Sequence, residues 1–178
     1  MTYKEFLSLF RAVPLSLTRP ELSFIITEMT VSIGCDHAGV EMKEELIGLL
    51  KEMGVSVKDM GTNTPESVDY PDFGERVAVS VLKGEAQRGV LICGTGIGMS
   101  IVANKFPGIR AALCNDLFTA RMSRLHNDAN ILIIGGRVVG KGLAREIARV
   151  WIETPFEGGR HLRRLEKITA VEGKAKKL

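Results

Sequence analysis

Five short apolar runs, VSIGC (31–35), VSVKDMG (55–61), GVLICG (89–94), RAALC (110–114) and NILIIGG (130–136), recur along the chain with helix-patterned segments between them, and none is joined to the next by a two-residue hairpin turn. Strands that cannot pair through hairpins must pair in parallel, and a parallel sheet is covered by helices on both faces. The intervening segments supply them: 39–54, 75–84, 97–105, 116–126 and 141–153. In the first, Leu46, Leu49, Leu50 and Met53 make an apolar helical face. The polar stretch GTNTPESVDYPDFG (61–74) reads as a loop ahead of the second helix. The fold class is α/β: one doubly wound, mainly parallel five-stranded sheet, Rossmann-like in its three layers. A last helix over 158–172 carries Arg160, Arg164 and Lys167 on one face and only sparse apolar residues, so it is expected to act as a C-terminal arm packed on something outside its own core, most simply a partner subunit.

Residues 1–28 lack this rhythm and hold Pro14 and Pro20, which marks them as an N-terminal extension, with a misplaced start as the favoured explanation. The domain is expected over 29–171, followed by a basic tail at 172–178. With 45% hydrophobic and 25% charged residues, the 178-residue chain has the composition of one globular domain. No apolar run reaches the roughly 18 to 20 residues that span a bilayer, and no signal-peptide pattern is present, so a soluble cytoplasmic protein without membrane contact is expected. The net charge is +3, yet seven Lys or Arg against two Glu follow from Arg160 onward, which leaves −2 for everything before. That basic end has no interleaved aromatic platforms, which argues against nucleic acid as a partner. Cys35, Cys93 and Cys114 are odd in number and form no CxxC pair, so neither disulfides nor a zinc site is expected.

In doubly wound sheets, ligands bind beyond the carboxyl ends of the strands. The unusual residues of this chain fall there: Cys35-Asp36-His37, Cys93-Gly94-Thr95, Cys114-Asn115-Asp116 and Gly135-Gly136-Arg137. The turn GTGIG (94–98) can bring backbone N–H groups close to an anion such as a phosphate or an enediolate oxygen, helped by the positive end of the helix that follows. A tight turn without a ligand is the plainer alternative. A dinucleotide site is another, because Gly94 and Gly96 fit GxGxxG, although Met99 stands at the third glycine and the turn follows the third strand. Cys93 is either a small buried hydrophobe or a thiolate base or nucleophile favoured by the same helix end. Asp36 and His37 face the presumed crevice or merely cap and decorate it. His126, between a helix and a strand, either moves protons near neutral pH or caps the helix. With no metal cluster beside them, these parts suit proton transfer on a small phosphorylated, polyhydroxylated substrate, without a cofactor.

GCDHAG (34–39), DYPDF (69–73), CGTGIGMSIVANK (93–105), GIRAA (108–112), RLHNDANIL (124–132), GGRVVG (135–140) and EGGRHLRRLEKI (157–168) together resemble the type B ribose-5-phosphate isomerase family, within the ribose/galactose isomerases. The likeness runs from about Met29 to about Val171. It implies a metal-free aldose–ketose isomerase of the non-oxidative pentose phosphate pathway, interconverting ribose 5-phosphate and ribulose 5-phosphate through a cis-enediolate. By that likeness Cys93 is the base, with Thr95 beside it, and Gly94, Gly96, Ile97, Gly98 and Ser100 hold the enediolate oxygens. His126 assists ring opening, with Asp36 as helper. Tyr70 and Asn127 contact the sugar, while His37, Arg137, Arg160 and Arg164 gather round the phosphate. A homodimer or homotetramer with each active site shared between subunits is implied too. The rivals are isomerases of allose 6-phosphate or galactose 6-phosphate, and a phosphosugar-binding module without turnover.

Overall fold

The structure, a computed structural model, describes residues 29–175; the expected extension at 1–28 and the last three residues of the basic tail lie outside them. The elements follow in order as β1 (Thr30–Cys35), α1 (Val40–Glu52), β2 (Ser56–Asp59), α2 (Tyr70–Leu82), β3 (Arg88–Cys93), α3 (Ile97–Ala103), β4 (Ala111–Leu113), α4 (Leu117–Asn127), β5 (Ile131–Gly135), α5 (Lys141–Glu153) and α6 (Arg160–Ala175). The sheet order is β2-β1-β3-β5-β4 and every strand pair is parallel. From β1 the chain goes to β2 on one side and then crosses to β3 on the other, which puts the topological switch point between β1 and β3.

Alternation along β3 divides the core. Val90 and Ile92 face α1, α4 and α5, packing with Leu46, Leu49, Ile147 and Trp151. Leu91 and Cys93 face α2 and α3, packing with Val77, Met99 and Ala103. Both faces being covered is the reason the strands are near-continuous apolar runs. The register sets Cys35 beside Ile92 and Cys93 beside Gly135, so the ends of β1, β3 and β5 form one rim.

One difference from the sequence reading has a simple cause. Helix α2 starts at Tyr70 rather than Glu75, because Pro71 occupies its first turn, where proline has no N–H to lose, and Gly74 gives the close approach to α3 in which an added Cβ would lie 3.0 Å from Val102 Cγ1. The arm α6 meets the rest of the chain at His161, which is buried, and at Glu172, whose carboxylate accepts the Gly108 N–H at 3.1 and 3.2 Å. Its Leu162, Ile168 and Val171 are 48%, 42% and 63% exposed. Among the described residues no helix is long and apolar enough to cross a membrane.

Candidate active site

Strand β3 runs directly into the glycine turn, and the turn folds back on its own cysteine: the Gly96 N–H donates to Cys93 Sγ at 3.1 Å. Gly96 has φ +79°, and a side chain there would run into Leu113 Cδ1. Gly98 lies under Tyr70, whose ring atoms would meet an added Cβ at 2.7 Å. Thr95 is exposed, and its Oγ1 accepts the Ile97 N–H at 3.3 Å. Ser100 sits half-buried one turn into α3.

Neighbouring strand ends close around the turn. Asp36 is 7% exposed; its N–H reaches Ile92 O, and its Oδ1 accepts the Ala38 N–H at 2.9 Å, which fixes the β1–α1 corner. His37 Nδ1 accepts the Val68 N–H at 3.3 Å, leaving Nε2 as the ring's donor. Gly136 N–H donates to Cys93 O and Arg137 N–H to Gly94 O, and the Arg137 side chain passes 3.6 Å from where a Gly94 Cβ would stand. A cavity of about 350 Å³ opens beside this rim between the starts of α1 and α5, bounded by His37, Pro65, Gly136 and Val139, with Lys141 and Glu41 paired across it at 2.9 Å. Cys93 does not line this cavity.

The three thiols differ in their surroundings. Burial pushes the Cys35 thiol up to about 11, only partly offset by the Lys43 ammonium, and burial also raises Cys114. Cys93 is the one that receives a backbone N–H.

His126, Asn127, Arg160 and Arg164 lie elsewhere. α4 runs antiparallel to the strands, so its last residues return to the edge where strands begin; Arg110, just before β4, donates to Asn127 O at 3.0 Å. Glu157 N–H donates to Leu125 O, and His161 stacks on His126 with ring centres 4.2 Å apart and planes 6° from parallel. Arg160 and Arg164 are exposed on the first turns of α6 beside this pair. At ~3.3 Å per residue, the five residues of β5 separate this edge from the Cys93 rim by roughly 13 Å. The two groups of residues therefore lie at opposite ends of the strands.

Glu157 and His161 received no role in the sequence reading, although both stand in the motif EGGRH. With His126 they could in composition hold a cation, their ligand atoms lying within 4.8 Å of one another. Each ring lone pair lies in its own ring plane, and two near-parallel stacked planes do not converge on one ion.

A parallel sheet whose rim carries a thiol in a glycine turn, with arginines beyond the opposite strand ends, has the parts to handle small phosphorylated substrates. The chain belongs to the ribose/galactose isomerase family, whose model matches residues 31–168. It is 50% identical over 142 residues to ribose-5-phosphate isomerase B of Escherichia coli, covering 80% of this chain and 95% of that protein. The D-erythrulose-4-phosphate isomerase of Pectobacterium atrosepticum is 41% identical over 149 residues, covering 83% and 98%. Among solved structures, ribose-5-phosphate isomerase B of Clostridium thermocellum superposes with a TM-score of 0.81 at 54% identity, covering 83% of this chain and 99% of that one.

Proposed function

We propose that this chain is an aldose–ketose isomerase that interconverts ribose 5-phosphate and ribulose 5-phosphate, with Cys93 as the base. The observation that carries the reading is the Gly96 N–H aimed at Cys93 Sγ from inside the glycine turn, the arrangement a sulfur bearing negative charge requires. The thiolate takes the proton from C2; the C–H electrons form the C1=C2 double bond, and the aldehyde oxygen becomes the enediolate oxyanion. Cys93 returns that proton to C1, where the C1=C2 electrons take it up, while the C2 hydroxyl proton passes to the O1 oxyanion and its O–H electrons form the C2=O bond, so atoms and electrons balance without a redox partner. The enediolate carries charge that the sugar lacks, so the N–H groups of Gly94 and Gly98 act on the transition state more than on the substrate, while those of Gly96, Ile97 and Ser100 are engaged by Cys93 Sγ, Thr95 Oγ1 and Gly96 O and hold the turn in shape. Thr95 orders the turn beside the base.

In this reading Tyr70, held flat on Gly98, contacts the sugar from the same half-site, with His37 and Arg137 on the phosphate. His126 for ring opening, Asn127 for the sugar, and Arg160 and Arg164 for the phosphate come from a second copy of the chain, with Asp36 helping ring opening at the rim. The separation of the two half-sites within one chain supports a dimer or larger homo-oligomer with shared sites, and the exposed apolar residues of α6 suit an arm that packs on another subunit. The three free thiols fit a cytoplasmic enzyme.

Turnover of ribose 5-phosphate, allose 6-phosphate, galactose 6-phosphate and erythrulose 4-phosphate by the purified chain tests the substrate. Ribose 5-phosphate is expected to show the highest kcat/KM. A higher value for a six- or four-carbon sugar would replace the proposed substrate, and absence of turnover on all four would reduce the chain to a binding module.

A further inference from the structure

The cluster at the end of α4 holds a buried histidine for which the reaction above has no use. His161 is 1% exposed, whereas the His126 side chain stacked on it is 37% exposed. Arg160 Nε–H donates to His161 Nε2 at 3.3 Å, which requires an unprotonated lone pair there and puts the ring proton on Nδ1. Among the described residues Nδ1 has no partner, a cost that a protein without use for this ring could avoid with phenylalanine or leucine.

We propose that His161 is a positioning residue that must stay neutral: its face fixes the ring plane of His126, and its Nε2 aims the Arg160 guanidinium. This rests on the reading that His126 opens the sugar ring and Arg160 holds the phosphate. A second proton on His161 would remove the acceptor that Arg160 uses and place a cation against the His126 ring. The surroundings oppose that proton. Burial lowers the affinity of His161 for it, and His126 on α4 and Arg160 and Arg164 on α6 act the same way. Glu157 alone favours it, standing 3.6 Å from His161 Nε2 and 3.7 Å from His126 Nε2. Those lengths are too long for hydrogen bonds, so the carboxylate attracts whichever ring is charged.

Two variants separate the two functions of the ring. His161→Phe keeps the face and removes the acceptor, so KM for ribose 5-phosphate should rise about five-fold with kcat within about two-fold. His161→Gln keeps an acceptor at the position of Nε2 and removes the face, so kcat should fall about ten-fold with KM nearly unchanged. Equal losses in both variants, or no change in either, would overturn the proposal. In the intact protein, imidazole ¹⁵N spectra should show His161 neutral with its proton on Nδ1 across the pH range in which the protein is active; a doubly protonated His161 within that range would also overturn it. His126→Gln, measured alongside, isolates the underlying reading. Undiminished kcat in that variant removes the ring-opening role of His126, and the spectra and the Arg160-dependent KM then decide the positioning role by themselves.

Discussion

Cys35 and Cys93 end strands, Cys114 follows one, and all three are buried, yet only Cys93 is backed by a turn of N–H groups. Replacing it by alanine removes the proton acceptor while leaving the phosphate ligands untouched. Cys93→Ala should therefore lose roughly 10³-fold or more in kcat, with substrate binding by calorimetry within a few-fold of wild type. Cys35 has a different consequence. Its folded thiol holds its proton up to about pH 11 against an ordinary value of 9.0, so below pH 9 both folded and unfolded forms are protonated. Between those values only the unfolded thiol ionises, and stability declines as pH rises. The loss is about 2 kcal/mol, measured as the drop in unfolding free energy from pH 8 to 11, and should be absent from that drop in Cys35→Ala. At this scale Cys93 was legible because a glycine cluster follows it directly. His161 was not, since a histidine on an amphipathic helix has no spacing that tells a buried ring from an exposed one.

The turn and the arm are the elements that carry the proposed site. Gly96 combines a left-handed backbone with contact against Leu113, so Gly96→Ala should cost about 1–3 kcal/mol in stability by denaturant titration. It should also lower kcat, because the N–H that meets Cys93 Sγ is displaced. Arg164→Ala, on the first turns of α6, should raise KM for ribose 5-phosphate by about ten-fold or more with little change in melting temperature, as expected for an exposed phosphate ligand. An unchanged KM would show that the arm does not reach a substrate. The alternation of elements was plain in the sequence because a strand buried on both faces must be apolar throughout. The start of α2 was not, since Tyr70-Pro71-Asp72-Phe73-Gly74 has the composition of a loop and only packing against α3 makes Gly74 useful inside a helix. Strand order escaped as well: the apolar pattern of a strand does not encode which neighbour it pairs with.

For the whole molecule, the decisive property is that helices antiparallel to the strands carry His126 and the α6 arginines to the edge opposite Cys93. The sequence held every one of these residues, and their motifs point to one site, but only the fold shows that they leave the chain at two ends. In the proposed assembly, a symmetric dimer pairs the Cys93 edge of each copy with the His126 edge of the other, twice. Mixing Cys93→Ala chains with His126→Ala chains, by co-refolding or co-expression, tests that arrangement most directly. Each variant alone is expected to be nearly inactive. In a mixed dimer one site combines both wild-type groups and the other neither, so random pairing should restore about a quarter of wild-type activity. A mixture no more active than its components would mean that Cys93 and His126 of the same chain serve one site, or that they serve none together.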